Sequence, residues 1–163
     1  MTFREREQKG RDKFKRVLET NKGYAITYQF TEDEYNHIDC FLTGRSISAV
    51  EIKDRDTILS TTYQDSMIED IKVQALINSY LISGYTPFYC VFYQDCYYLW
   101  NLKDIDWETI KRDTLKCPRT TCGDNTYIDK VVYHLPFELG KKYRLPNKGH
   151  FQAISEPYRY WVV

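Results

Sequence analysis

Hydrophobic and polar residues alternate with two different periods along the first two thirds of the chain. In residues 3–20 and 66–83, apolar side chains recur every three or four positions, which predicts two amphipathic helices. Five other stretches have the alternation or the aromatic content that is typical of strands, namely 24–30, 37–42, 47–53, 86–93 and 96–102. The predicted order is therefore one helix, three strands, a second helix and two more strands.

The second and third strands are predicted to form a hairpin whose turn, residues 43–46, contains a glycine. If this turn centres on Arg45, the numbers of paired residues sum to ninety and Asp39 lies opposite Glu51. If the turn centres half a residue earlier, Asp39 lies opposite Val50 and the two acids do not face each other. Only the first register, or one slipped by two residues, lets both acids share one metal ion.

Several charged side chains of this hairpin fall on one face. Side chains alternate along a strand, so Glu51 and Lys53 point the same way, and His37 would lie opposite Lys53. Two carboxylates about 5 Å apart would destabilise the sheet by repulsion. A divalent cation between Asp39 and Glu51 would remove that repulsion, and oxygen ligands suit Mg²⁺ or Mn²⁺. The alternative is that these are solvated strand residues beside a surface lysine.

The combination of Asp39 with Glu51-x-Lys53 resembles the active-site motif of the PD-(D/E)XK nuclease superfamily. The proline that usually precedes the aspartate in that family is replaced here by Ile38. The resemblance implies that Asp39 and Glu51 bind the metal ion and that Ile52 offers its backbone carbonyl to it. It also implies that Lys53 positions or activates the attacking water.

The same resemblance implies roles for side chains outside the hairpin. Many members of the superfamily carry a first-helix glutamate that completes the metal site, and Glu7 best fits that position. In several branches the helix after the E-x-K strand contributes a glutamine or lysine, for which Lys72 and Gln74 are the candidates. His37 is expected only to line the pocket. For Glu7 the alternative is pairing with a neighbouring arginine of the helix, and for Lys72 and Gln74 it is an exposed helix face.

The order of elements around the motif also resembles that superfamily. It matches the αβββαβ core over residues 3–102, with one strand added, and implies an α/β fold like that of restriction endonucleases. We therefore expect a central mixed sheet flanked by helices. Residues 103–163 fit no part of this core, and we interpret them as an appended C-terminal element within one domain spanning residues 1–163.

The charge of the chain bears on whether it binds nucleic acid. Lys plus Arg and Asp plus Glu number 23 each, so the overall composition does not indicate a nucleic-acid-binding protein. A basic cluster near the C-terminus is the candidate DNA-contacting surface, with a solvated loop as the alternative: Lys141, Lys142, Arg144 and Lys148. Asp54 and Asp56, just beyond the third strand, are expected to be solvated turn residues.

Cysteine usage and the N-terminal sequence bear on the cellular compartment. The first residues are charged and no apolar run has membrane-spanning length, so we expect a soluble, cytoplasmic protein with reduced thiols. Cys117 and Cys122 would need two further ligands to bind zinc, and only His134 is a nearby candidate. We therefore do not predict a zinc site.

Taken with the resemblance, these features predict a Mg²⁺- or Mn²⁺-dependent nuclease that hydrolyses phosphodiester bonds in DNA. The small size and plain core suggest a phage- or mobile-element-type enzyme, with a homodimer as the candidate assembly. The first alternative is a protein that keeps the nuclease fold without activity and binds nucleic acid or protein. The second is an interaction module that uses the tyrosine-rich C-terminal third to bind protein.

Overall fold

The computed structural model describes residues 2–20, 26–33, 36–119 and 126–146, which form two helices and nine strands. The helices are α1 (Phe3–Glu19) and α2 (Asp70–Ser83). The strands are β1 (Thr27–Phe30), β2 (Cys40–Thr43), β3 (Ile47–Arg55), β4 (Asp65–Glu69), β5 (Thr86–Tyr93), β6 (Cys96–Asn101), β7 (Lys111–Pro118), β8 (Tyr127–Pro136) and β9 (Lys141–Arg144). Short 3-10 helices lie at Ser60–Thr62, Leu102–Asp104 and Phe137–Leu139.

The strands form two sheets. The larger sheet has the order β1-β2-β3-β5-β6-β9, and its neighbours are antiparallel except for the parallel pair β3–β5. The smaller sheet has the order β4-β8-β7 and is antiparallel throughout. A parallel pair needs a crossover connection, which β4 and α2 provide here. The predicted α/β class with a central mixed sheet is confirmed.

The two helices cover opposite faces of the larger sheet. Helix α1 begins with a capping box between Thr2 and Glu5 and buries Phe14, Val17 and Leu18 against one face. Helix α2 buries Val73 and Leu76 against the other. Because side chains alternate, β3 directs Val50 and Ile52 toward α1 and directs its odd-numbered residues toward α2.

Helix α1 packs directly against β3 at Gly10. A methyl group built at Gly10 would stand 3.4 Å from Ile52 Cγ2 and 3.5 Å from Asp54 Cβ. This proximity allows the charged residues of α1 to reach the end of β3 and the start of β2.

Aromatic side chains connect the two sheets. The Tyr89 hydroxyl donates to the carbonyl of Met67 at 2.9 Å, and the Tyr93 hydroxyl donates to Ser66 Oγ at 3.1 Å. Trp100 Nε1 donates to the carbonyl of Pro136 at 3.0 Å. These bonds hold β4 and β8 over the α2 face of the larger sheet, where β3 and β5 lie at its centre.

Several predicted boundaries differ from the observed ones. Strand β2 starts at Cys40, so His37 and Asp39 precede it, and the helix predicted from residue 66 starts at Asp70. Residues 65–69 form β4 instead, because they pair with β8, which lies more than sixty positions later in the chain. The region after residue 102, which the sequence analysis assigned to no core element, contributes β7, β8 and β9.

None of the helices in the described part of the chain is long and apolar enough to span a membrane.

The core predicts a large stability difference between two aromatic truncations. Phe14→Ala should reduce the free energy of unfolding by about 3–5 kcal/mol, because Phe14 is fully buried and truncation leaves a cavity. Tyr63→Ala removes a side chain from a residue that is 59% exposed and should change stability by less than about 0.5 kcal/mol. Urea unfolding measures both, and equal losses would show that the α1 face is not the core.

Candidate active site

Glu51 is the central residue of the site and lies in the middle of β3. It is 2% exposed, with β2 on one side of its strand and β5 on the other. One carboxylate oxygen accepts a hydrogen bond from Lys72 Nζ, and the other, Oε2, is buried without a hydrogen-bond partner among the described residues. Burial and the nearby charge of Asp39 raise the pKa of Glu51 well above its ordinary value, and Lys72 opposes this. The strand thus buries a carboxylate of which only one oxygen is hydrogen-bonded to a described residue.

Asp39 stands beside Glu51, immediately before β2. Its backbone N–H donates to the carbonyl of Val50 at 3.0 Å, and its Oδ2 accepts from the backbone N–H of Ile52 at 2.7 Å. In the observed β2–β3 pairing, Cys40 lies opposite Val50, and the residue numbers of every pair add up to ninety. The register centred on Arg45 is therefore confirmed. Asp39 lies one residue outside that ladder, yet its charge is near enough to raise the pKa of Glu51. The two acids therefore share one site.

Lys53 follows Glu51 on the same face of β3 and is half-buried. Burial lowers the pKa of Lys53, the charge of Lys72 lowers it further, and Glu51 acts in the opposite direction. Among the described residues, no carboxylate forms an ion pair with its ammonium group. The cation is held near Glu51 and is left able to contact an anion.

Lys72 reaches the site from the first turn of α2. Because β4 leads directly into α2, the start of this helix is held beside Glu51. Burial alone would lower the pKa of Lys72, but the charges of Glu51 and Asp39 and the hydrogen bond to Glu51 raise it overall. Gln74 is not brought to the site, since its amide donates to Asp70 Oδ2 at 2.6 Å on the exposed side of the helix. His37 lies before the paired stretch and does not line the cavity described below.

Glu7 is connected to the acidic pair through an arginine. Arg11 Nη2 donates to Glu7 Oε1 at 2.6 Å and stands 3.5 Å from Asp39 Oδ1. Arg11 also donates to the carbonyl of Thr31 at 2.8 Å. The structure therefore places a cation between Glu7 and Asp39. The alternative predicted for Glu7, pairing with a neighbouring arginine of the helix, is therefore the one observed, whereas the contact of Arg11 with Asp39 was not predicted.

Asp54 is not the solvated turn residue that the sequence predicted, whereas Asp56 does lie in the turn after β3 and is half-buried. Strand β3 continues to Arg55, so Asp54 points toward α1, where its side chain is only 3% exposed. Lys13 lies 2.7 Å from Asp54 and 2.9 Å from Asp56, and Lys9 lies 2.5 Å from Asp56. The predicted exposure of Asp54 was wrong because the basic face of α1 packs against the end of this strand.

This ion pair gives a second stability prediction. Lys13→Met should reduce the free energy of unfolding by about 3 kcal/mol, because it leaves the buried carboxylate of Asp54 without its cation. Lys15→Met is the matched control, because Lys15 pairs with Glu19 at 3.7 Å on the exposed face of α1. This variant should lower the free energy of unfolding by less than about 1 kcal/mol. Chemical denaturation of both variants measures the difference, and similar losses would contradict the proposed importance of the Lys13 pair.

A cavity of about 220 Å³ opens on this face of β3, between the two sheets. Its charged lining residues are Glu51, Lys53, Arg55, Glu69, Lys72 and Lys130. Four cationic side chains against two acidic ones give a formal excess of two positive charges. Lys130 pairs with Glu69 at 3.0 Å. A cavity with this lining is suited to a bound anion such as a phosphate group.

The predicted basic cluster lies elsewhere on the larger sheet. Its described members belong to β9, the edge strand, three strands from β3 or roughly 14 Å at the usual strand spacing. Lys142 and Arg144 share the face of Glu51, whereas Lys141 points to the opposite face. Lys148 lies outside the described residues. The structure does not bring this cluster to the acidic pair, and a DNA-contacting role for it stays a prediction.

The site residues can be tested for their fit to a divalent metal ion. Within residues 2–20, 26–33, 36–119 and 126–146, no three His, Cys, Asp or Glu side chains are arranged to hold an ion. Asp39 and Glu51 nevertheless offer two adjacent carboxylates, and the unpartnered Glu51 Oε2 is the kind of ligand that a cation requires. Mg²⁺ commonly uses one or two carboxylates and keeps several waters, so this pair fits it.

The residues considered for zinc have other partners or lie outside the described chain. His134 Nδ1 is 3.0 Å from Asp65 Oδ1, and its Nε2 is 3.1 Å from Asp113 Oδ2. Cys117 is a free, partly buried thiol, and Cys122 is outside the described residues.

Comparison with known proteins supports the fold assignment. No family model and no curated protein match the sequence. Among solved structures, the chain is similar to Hjc, a Holliday junction resolvase from the archaeal hyperthermophile Archaeoglobus fulgidus. The TM-score is 0.51 at 12% sequence identity, and the match covers 82% of this chain and 91% of the resolvase. The predicted fold is thus confirmed: the chain has the fold of this resolvase, with a central mixed sheet flanked by helices.

Proposed function

We propose that this protein is a Mg²⁺- or Mn²⁺-dependent nuclease that hydrolyses phosphodiester bonds in DNA. The observation that carries the proposal is a buried pair of carboxylates, Asp39 and Glu51, of which Glu51 lines a cationic cavity together with Lys53 in a restriction-endonuclease-like fold. A buried acidic pair is unfavourable unless a cation compensates it, and the excess of positive charge around it favours a phosphate.

Asp39 and Glu51 would hold the metal ion, with the carbonyl of Ile52 as a third ligand implied by the family resemblance. When bound, such an ion activates water and stabilises the charge that develops on the phosphate. Lys53 would hold the attacking water or a phosphate oxygen, since its ammonium has no ion-pair partner among the described residues. Lys72 would neutralise Glu51 in the metal-free protein, and Arg11 would fix the position of Asp39.

The experiment that tests this function uses several forms of one DNA sequence. Linear, nicked, branched and single-stranded DNA are incubated with the protein in Mg²⁺, Mn²⁺ or EDTA. Cleavage of at least one form with either metal ion, and none in EDTA, is expected. No cleavage of any form would contradict the proposal. The homodimer also stays a prediction, which sedimentation analysis can check.

One observation favours a second candidate, a nuclease-fold protein that binds without cutting. Lys72 already contacts Glu51, so one charge of the acidic pair is neutralised without a metal ion. In that case Mn²⁺ would leave the thermal stability unchanged while DNA or a protein partner is still bound. Metal-dependent stabilisation therefore separates the two candidates.

A further inference from the structure

Strands β7 and β8 form a ribbon that extends beyond the rest of the smaller sheet. They pair from Lys111–His134 to Pro118–Tyr127, and Arg119 N–H donates to the carbonyl of Thr126 at 2.8 Å. Strand β4 pairs only with residues 132–136 of β8. Residues 114–119 and 126–131, here called the outer ribbon, are therefore a two-stranded ladder, and no third strand of the described residues pairs with either side.

The outer ribbon is exposed and positively charged. Tyr127 is 64% exposed and Ile128 is 40% exposed. The charged residues of the outer ribbon are Lys116, Arg119, Asp129 and Lys130, a formal excess of two positive charges in a chain whose net charge is zero. Lys130 pairs with Glu69, whereas Lys116 and Arg119 form no ion pair with any described residue. Lys116 lies opposite Asp129 in the ladder, and Lys116 and Arg119 point to opposite faces of the ribbon, so a partner that carries negative charge can contact one cation on each face.

The same ribbon is one wall of the cavity that Glu51 and Lys53 line. Cys117, Pro118 and Lys130 line the cavity across from Glu51 and Lys53. A phosphate held in this cavity would touch the ribbon, and a polymer that continues from that phosphate would run along it. The ribbon is thus placed beside the proposed site of cleavage and not on a remote surface.

We infer that the outer ribbon is a DNA-contacting arm that enters the major groove of the duplex beside the cut. The major groove is wide enough to admit a two-stranded ribbon, and an isolated ribbon of this kind gains stability from such a partner. Lys116 and Arg119 contact backbone phosphates and set the position of the duplex. This inference rests on the proposed nuclease function and names the element that binds its substrate.

The test compares two double charge reversals. Lys116→Glu with Arg119→Glu changes the ribbon, and Lys15→Glu with Arg16→Glu makes the same charge change on exposed residues of α1. Binding of a labelled duplex is measured by fluorescence anisotropy in EDTA, at salt concentrations between about 50 and 200 mM. Circular dichroism and thermal melting check that each variant is folded, and Lys116→Gln with Arg119→Gln serves as a milder second variant.

The ribbon reversal is expected to weaken duplex binding at least tenfold, and the salt slope should fall by about two because two phosphate contacts are lost. The α1 reversal should stay within about twofold of the wild type. The inference is overturned if both reversals weaken binding equally, if the ribbon variants bind duplex like the wild type, or if only single-strand binding is affected. If the wild type itself binds and cuts no DNA, the nuclease proposal fails instead.

Discussion

Glu51→Gln is expected to reduce DNA cleavage by on the order of a thousandfold or more, because it removes the charge of a metal ligand while keeping the shape of the side chain. The fold should be retained, since Glu51 is a buried residue that is costly to ionise and glutamine is neutral. Single-turnover cleavage rates in saturating Mn²⁺ measure the effect, and circular dichroism checks the fold.

Glu19→Gln is the matched control, because Glu19 lies on the exposed face of α1 and pairs only loosely with Lys15. It should cut DNA at the wild-type rate. Lys53→Met should cause a loss of similar size to that of Glu51→Gln, because the cation that faces the substrate is removed. If Glu51→Gln and Lys53→Met both cleave like Glu19→Gln, the catalytic assignment is wrong.

Mn²⁺ is expected to stabilise the wild-type protein and not the Glu51→Gln variant. Binding to the folded state alone at a hundredfold excess over Kd contributes about 2.7 kcal/mol, which thermal melting detects readily. The Asp39→Asn variant should also lose most of this stabilisation. Equal stabilisation of the wild type and both variants would place the bound ion elsewhere in the molecule.

The stabilisation by Mn²⁺ should also grow with pH. Because the pKa of Glu51 is raised in the folded protein, its protonated form favours folding below the unfolded pKa of about 4.5, and this contribution is lost as the pH rises through the folded value. The metal ion needs the ionised carboxylate, so its effect should be small near pH 5 and larger near pH 8, by roughly 1.4 kcal/mol per pH unit at most. A metal effect that is independent of pH would show that Glu51 is not a ligand.

The hairpin was predictable because its signals are local. The turn at residues 43–46 fixes the register between β2 and β3, and strand alternation then places Glu51 and Lys53 on one face. Asp39 follows from the same register, although it lies just outside the ladder. The relative positions of these residues could therefore be predicted without knowing how distant parts of the chain pack.

The surroundings of the hairpin were not predictable in the same way. Residues 65–69 have side chains that suit a helix, yet they form β4 because of pairing with β8 far along the chain. The burial of Asp54 depends on Lys13 of α1, and the position of Arg11 between Glu7 and Asp39 depends on the packing of α1 against the larger sheet. Such features arise from tertiary packing, which a local pattern does not contain.

The aromatic residues also show that tertiary contacts cannot be predicted from a local pattern. Their number indicated strand packing, and Tyr89, Tyr93 and Trp100 are indeed buried in strands. Their polar groups, however, bond to β4 and to the end of β8, and so determine where the smaller sheet sits over the site. A composition-based argument gives the burial of these side chains but not the partners of their polar atoms.

The most direct measurement of the central claim follows one DNA substrate through removal and return of the metal ion. Wild-type protein should cleave the DNA in Mn²⁺, stop when EDTA is added, and resume when Mn²⁺ is restored in excess, while Glu51→Gln remains inactive throughout. Cleavage that continues in EDTA, or a Glu51→Gln variant that cuts at the wild-type rate, would contradict a metal-dependent site built on Asp39 and Glu51.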